Sequence, residues 1–557
     1  MTNGLGDART RELISRARST EPTARCLATL PFRDFRALLQ GRAALGSNPY
    51  LVYRDGAERS VTSYADFASR VAARAQTLWD VCGIRRGDRV ATLFRNHLEV
   101  PVTTLAAWVL GATVVPINLG EDDERVGFVL RNSEARAALL LPEVAERAAA
   151  LHEAAPGIET WLEVPPKDEA PIPPEALERF PAPEAEDEAL IVYTSGTTGA
   201  PKGVLLTQQN LLVDADALLR WNRFDDEARL MCVLPTHHVN GLVVTLLTPL
   251  LAGGRAVLCR RFRSEWFWRT IAEEGVHVVS VVPTLLAFLL EDPSGPADLD
   301  VSQLRHLVCG AGPLTVELAT RFEERFGLRI LHGYGLSETT CYSCMLPREL
   351  DDAEHAGWMR DHGFPSIGVP LPPNEMAIHD AEGQELAEGE RGEIVVRGVN
   401  VMKGYHGRPD ANAETFAHGW FRSGDEGFLR RDAAGRPFFF ITGRQKELII
   451  RGGVNLSPLE IDEVLNRIPG VARGLAVGFE NRWYGEEVGA YVVCEAGAAL
   501  DADTVLHACR ERLPFAKAPK VVVFGEEIPV TSTGKFQRGK LRPLFEAWKD
   551  QQFRKGS

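Results

Sequence analysis

Apolar and polar positions along this chain change their period several times, and each change marks an element. Over residues 30–160, helical spacings alternate with short β-branched runs such as Arg89-Val90-Ala91-Thr92-Leu93-Phe94 and Ala112-Thr113-Val114-Val115-Pro116. This alternation predicts parallel sheet layers wrapped by helices. The run Ala189-Leu190-Ile191-Val192 reads as a buried strand. A second alternating region reaches residue 360 and includes strands over 256–258 and 276–282. Between 365 and 440, short strands with frequent Gly and Pro predict a smaller β-rich subdomain, clearest over 393–398 and 436–440. The remaining C-terminal residues form a compact α+β pattern with helices over 458–467 and 503–513. The fold class expected is therefore α/β. A large N-terminal domain (1–442) of helix-wrapped parallel sheets carries the β-rich subdomain, a boundary falls at 443–446, and a small α+β domain covers 447–557. Residues 165–188, rich in Pro, Glu and Ala, read as an exposed connection. No period of solenoid length repeats.

A chain of 557 residues exceeds one ordinary core, which agrees with division into domains. Apolar residues at 45% and charged residues at 25% describe a soluble globular protein. A net charge of −14 argues against nucleic acid as the main partner. Residues 1–25 lack the apolar stretch of a secretory signal, and the C-terminal residues are not a peroxisomal address. The longest apolar patch, 242–252, is interrupted by Thr245, Thr248 and Pro249 and is too short for a membrane span. Nine scattered cysteines suggest free thiols in a reducing compartment, so the expected location is the cytoplasm. Cys341 and Cys344 have metal-type spacing but no second pair nearby, which makes them pocket lining.

The chemistry concentrates in four segments. Tyr193-Thr194-Ser195-Gly196-Thr197-Thr198-Gly199-Ala200-Pro201-Lys202-Gly203 puts glycines, hydroxyls and one lysine into a single turn. Glycines let backbone N–H groups approach an anion and the lysine adds a point charge, so the segment suits a polyphosphate. Its spacing is not that of a Walker loop, and by composition alone it also suits a surface linker. In Gly333-Tyr334-Gly335-Leu336-Ser337-Glu338-Thr339, a glycine-flanked aromatic can lie on a purine and Glu338 offers a hard oxygen to magnesium. The alternative is a tight turn in which Ser337 caps a helix. Asp425, in Arg422-Ser423-Gly424-Asp425-Glu426-Gly427, could accept from two ribose hydroxyls or close an Asx turn. Lys535, in Thr531-Ser532-Thr533-Gly534-Lys535, would by itself read as a solvated surface charge. The adjacent His237 and His238 are expected to point in different directions, which disfavours a two-histidine metal site.

Taken in order, these segments resemble the signatures of the adenylate-forming superfamily: acyl-CoA and aryl-CoA synthetases, peptide-synthetase adenylation domains and beetle luciferases. The resemblance covers residues 190–540 and implies ATP, Mg²⁺ and coenzyme A as cofactors and a carboxylic acid as substrate. It assigns the nucleotide to Thr194, Ser195, Gly196, Thr197, Thr198, Gly199, Gly310, Ala311, Gly312, Gly333, Tyr334, Gly335, Ser337, Thr339, Asp425 and Arg444. The metal falls to Glu338 and Thr194. Lys535 and Lys202 would stabilise charge as the acid attacks the α-phosphorus, a meeting of two anions that needs a compact cation. His238 would line and gate the carboxylate pocket. Lys446 would be the hinge, and Gly452 and Gly453 would leave room for a pantetheine arm. No acidic residue occurs from Met231 through Leu251, which argues against an amino-acid substrate. His332 stands where the family often has glutamine. The resemblance thus implies an ATP-dependent acid–CoA ligase, with transfer to an acyl carrier protein or a separate thiolation enzyme as the alternative. The tunnel expected from His238, Asn240, Gly241, Gly310, Gly333, Thr339, Cys341 and Tyr342 suits aryl, medium-chain or polycyclic acids.

Overall fold

The structure, a computed structural model, describes residues 4–165, 169–194, 201–293, 295–531 and 534–554. Two helix-covered sheets form the body. In a nine-stranded sheet, six adjacent strands run parallel: Ile330–Tyr334, His306–Cys309, Val278–Val281, Arg229–Cys232, Arg255–Cys259 and Pro49–Asp55. Their interior positions are buried on both faces, which explains why they read as unbroken β-branched runs. A seven-stranded sheet is parallel through Glu188–Thr194, Thr113–Pro116, Arg89–Leu93, Ala137–Leu140 and Thr160–Glu163. Strand Lys202–Thr207 then returns antiparallel and pairs with Gly404–Tyr405.

The residues from 374 to 444 make a four-stranded antiparallel sheet, and those from 449 to 524 make a five-stranded mixed sheet with its own apolar clusters. The first three sheets end at Arg444 and the last begins at Ile449. Between them Gln445–Glu447 form one exposed 3₁₀ turn. This is the α/β fold expected, and most predicted strands and helices recur within one or two residues.

One expectation needs refining. The segment after residue 165 is exposed over much of its length, as expected, but it is also anchored to the body. Leu177 and Phe180 are buried, and Glu169 accepts two hydrogen bonds from the fully buried guanidinium of Arg74, which also binds Glu99. A buried cation needs such partners, and this segment supplies one of them. The apolar patch at 242–252 is a π-helix, Asn240–Leu247, running into the helix Thr248–Ala252, all within the core. Among the described residues, no helix is long and apolar enough to cross a membrane.

Candidate active site

The parallel strands of the nine-stranded sheet end at one edge, and the sequence-predicted residues gather there, as ligands do at the carboxyl ends of α/β sheets. Tyr334 closes the strand Ile330–Tyr334. Its hydroxyl donates to Asp425 Oδ2 at 2.7 Å, while Arg444 Nε donates to Asp425 Oδ1 at 2.9 Å. Asp425 and Arg444 are cross-strand neighbours in the four-stranded sheet, so their register is fixed by backbone pairing. Burial, then the Asp425 charge, pushes the Tyr334 phenol well above its usual range. The same carboxylate raises Arg444. A Cβ on Gly335 would overlap the Cys341 carbonyl oxygen, so glycine alone permits this return of the chain. Ser337 opens a 3₁₀ turn, Ser337–Thr339, and does not cap it; Thr339 Oγ1 instead accepts from Leu336 N at 3.1 Å.

Ser195, Gly196, Thr197, Thr198 and Gly199 lie outside the described residues. The two ends of their loop are described: Thr194 and Lys202 are antiparallel partners, with Thr194 Oγ1 3.5 Å from the Lys202 carbonyl oxygen. The Lys202 ammonium lies 4.7 Å from the centre of the Tyr405 ring, a cation–π contact, and the Tyr405 hydroxyl donates to Glu338 Oε1 at 2.8 Å. Tyr405 thus joins the loop lysine to the carboxylate, a residue that sequence reasoning missed. The signal was present in Lys403-Gly404-Tyr405, an aromatic beside a glycine like Tyr334, in a strand that pairs with Lys202–Thr207. One carboxylate and one hydroxyl make a poor cage for a tightly chelated metal, and no group of three or more acidic, His or Cys side chains suited to a metal occurs among the described residues. The donor set fits Mg²⁺, which keeps waters and substrate phosphates as its other ligands.

Lys535 reaches this cluster from the C-terminal sheet's side. Its turn is closed by Thr531, whose Oγ1 accepts from Lys535 N at 3.1 Å, and is docked by Thr284, whose hydroxyl donates to the Gly534 carbonyl at 2.6 Å. Thr284 stands in the first turn of helix Pro283–Glu291, directly beyond strand Val278–Val281. The charges around Lys535 are Arg444, Asp425, Glu338 and Glu447. Desolvation by the cleft, then Arg444, holds its pKa below the ordinary lysine value, although the side chain remains open to the cleft.

The acid side is built on the turn before the π-helix. Asn96 accepts from Thr236 N at 2.8 Å and donates to the Leu234 and Cys259 carbonyls, pinning that turn. His237 and His238 do not diverge as expected; their rings lie 4.3 Å apart. They sit in a turn, where the alternation of a strand does not apply. Burial lowers His237 to about 4. Burial, then His237 and Lys535, holds His238 well below its usual value, so both rings are neutral near pH 7. His332 is a buried structural residue: its Nδ1 lies 2.9 Å from the Ser366 carbonyl oxygen, and burial lowers it to about 4. Gly310, Ala311 and Gly312 follow strand His306–Cys309 at the same edge. Lys446 is exposed in the connecting turn. Gly452 and Gly453 form the exposed two-residue tip of a hairpin, both at positive φ, with Gly452 beside Tyr484. Cys341 and Cys344 are buried free thiols raised by burial.

Comparison with known proteins places this geometry. A sulfoacetate–CoA ligase of Cupriavidus necator is 36% identical over 520 residues, 92% of this chain and 97% of that protein. A feruloyl-CoA synthase of an Amycolatopsis species is 35% identical over 489 residues, 87% of this chain and 94% of that protein. The crystal structure of ATP-bound MatB from Rhodopseudomonas palustris superposes with a TM-score of 0.81 at 28% identity, covering 92% of this chain and 99% of that one. Residues 42–406 match the AMP-binding enzyme family and residues 460–535 its C-terminal domain. The chain belongs to the AMP-binding, adenylate-forming enzyme family.

Proposed function

We propose that the protein is an ATP-dependent carboxylic acid–CoA ligase. Acid and ATP give an acyl-adenylate and pyrophosphate, and coenzyme A then displaces AMP to give the acyl-CoA. The observation that carries this reading is the Lys535 ammonium set among Arg444, Asp425 and Glu338. In it, Tyr334, Asp425 and Arg444 hold the nucleoside end, with Gly310, Ala311, Gly312, Gly333, Gly335, Ser337 and Thr339 around it. The loop from Thr194 to Lys202 takes the phosphates. Glu338, fixed by Tyr405, and Thr194 would hold Mg²⁺, which would neutralise phosphate charge. Lys535 bridges the attacking carboxylate and the α-phosphate, where negative charge accumulates. His238, kept neutral by its surroundings, lines the carboxylate pocket without repelling Lys535.

The thiol step needs the space that Lys535 fills. We therefore place the domain boundary at 443–446, with Lys446 as pivot, and assign the exposed Gly452-Gly453 hairpin to the second half-reaction. Separate strand sets before Arg444 and after Ile449 support that division. Free thiols at all nine cysteines fit a cytoplasmic enzyme. The relatives act on acids of very different size, so their names do not choose the substrate.

The test separates the half-reactions. Lys535→Ala suppresses acid-dependent pyrophosphate release while leaving transfer from a supplied acyl-adenylate to coenzyme A. Equal loss of both removes the lysine from this role. Turnover with coenzyme A as sole acceptor distinguishes the ligase from an enzyme that loads a carrier protein.

A further inference from the structure

One side chain fills the space that two glycines leave on the acid side of the site. Tyr342 is 1% exposed, and its ring occupies the space between the two glycines expected to floor the acid tunnel. A Cβ on Gly310 would lie 2.6 Å from the Tyr342 hydroxyl oxygen, and one on Gly333 would lie 2.8 Å from its ring carbons. The absence of side chains at those positions is therefore used up by Tyr342 and does not leave a channel.

Tyr342 is also held at both ends. Its hydroxyl oxygen accepts from Asn240 Nδ2 at 3.3 Å, and Asn240 Oδ1 in turn accepts from the Ser280 hydroxyl at 2.6 Å. Its backbone carbonyl accepts from Asn400 Nδ2 at 3.2 Å. Asn240 and Ser280 are buried, so swinging the phenol away would strand polar atoms out of water. Asn240 opens the π-helix only two positions after His238, whose ring is electrostatically coupled to Lys535. One turn of chain separates the reacting end of the pocket from its closed end.

We propose that Tyr342, braced by Asn240 and Ser280, is the floor of the acid pocket and restricts the enzyme to short carboxylic acids. Aryl and medium-chain acids, which the sequence pattern accommodates, are excluded by the ring. The proposal rests on the acid–CoA ligase reading above. The floor is polar, with a phenol, an amide and a hydroxyl in series, and tolerates a hydrogen-bonding group at the far end of the acid.

Pyrophosphate release is measured for the wild-type protein with acetate, propionate, butyrate, malonate, succinate, short sulfonated acids, benzoate and octanoate. The best short acid exceeds benzoate and octanoate in kcat/KM by about tenfold or more, and neither large acid inhibits short-acid turnover. Tyr342→Val raises kcat/KM for benzoate or octanoate by about tenfold or more, whereas Tyr342→Phe, which keeps the ring, keeps the wild-type ranking. Faster wild-type turnover of benzoate or octanoate overturns the floor and leaves the ligase standing. So does competitive inhibition by either large acid, a reading that needs no variant. An unchanged ranking in a folded, ATP-binding Tyr342→Val protein also overturns it. Pyrophosphate release with none of the acids overturns the ligase reading, and the floor with it.

Discussion

The nucleoside clamp and the lysine above it are built in opposite ways. Asp425 and Arg444 sit opposite each other on hydrogen-bonded strands, and Tyr334 ends a buried parallel strand, so three side chains converge with no loop between them. Lys535 instead stands on a turn of the C-terminal unit that touches the body through isolated contacts. They include Thr284 to Gly534, Glu463 Oε1 accepting from Val316 N at 2.8 Å, Arg473 with Glu291 at 2.8 Å, Ser457 donating to the Thr442 carbonyl, and Arg391 with Glu460 at 3.9 Å. Within its own unit that turn is anchored more firmly, by the buried pair of Arg538 with Asp462. On the proposed reading, the difference is that the clamp is preorganised while the cation is delivered. A group needed in only one of two steps is attached by contacts that can be broken.

Removing the delivered cation has the largest effect. Lys535→Ala lowers adenylation by about 10²–10³-fold, the scale of losing one charge-stabilising donor. Because the lysine pKa is held low, wild-type adenylation falls as pH rises, at a pH below the ordinary lysine value, as the ammonium loses its proton. Lys535→Arg keeps its charge and so lacks that alkaline fall, whatever its absolute rate. A profile identical to wild type would detach the lysine from the alkaline limb.

The clamp comes next. Asp425→Ala frees both the Tyr334 hydroxyl and the Arg444 guanidinium, and raises the KM for ATP by about 10–100-fold, the cost of leaving hydrogen-bonded polar groups unpaired. Thiolation of a supplied acyl-adenylate is impaired as well, since the nucleoside is held in both steps. Intact thiolation would show that the clamp, too, serves only one half-reaction.

The interface between the two regions is smaller in effect. Burial raises the Glu463 carboxyl to about 7 at its contact with Val316, with Arg467, Asp462 and Glu317 also acting on it. A domain swung away would return it towards its ordinary value, so the docked pose binds the proton more tightly. Docking therefore weakens as pH rises from about 4.5 towards 7. Glu463→Gln keeps an acceptor for Val316 N without the charge. It shifts the ratio of adenylation to thiolation by a few-fold near pH 7 and flattens that ratio's pH dependence.

The composition of their runs left the clamp and the lysine ambiguous, an acid that could close a turn and a lysine that could be a surface charge, and only the order of the motifs along the chain singled them out. Strands were legible because burial on both faces leaves unbroken β-branched runs, as at 278–281 and 306–309. What stayed hidden depended on pairing across long separations. Tyr405 reaches Glu338 only because a short strand adds to the seven-stranded sheet, and Asn96 pins the histidine turn across more than a hundred residues. The histidine pair escapes the divergence expected on a strand or helix because the two residues occupy a turn. That Tyr342 fills the gap which Gly310 and Gly333 leave depends on three segments meeting in space, and spacing along the chain does not show it.

The smallest effect on activity, and the sharpest control, lies in the fixed half. Asp214 is fully buried; its Oδ1 accepts from Asn400 Nδ2 at 3.1 Å, and burial raises its carboxyl from 3.8 to about 8. The folded protein keeps this proton where the unfolded chain has already lost it. Between pH 4 and 8 the folded state thus binds more protons, and stability falls as pH rises, by at most about 1.4 kcal/mol per pH unit for one group. Above about pH 8 both states are ionised and the penalty is constant. Asp214→Asn resembles the protonated side chain and removes this contribution, so the apparent unfolding temperature declines less steeply over that range than in wild type. The ratio of the two half-reactions stays unchanged, because Asp214 touches the body alone, through Asn400 and beside Tyr342. A shift in that ratio as large as that of Glu463→Gln would mean that docking is governed from inside the body and not at its surface.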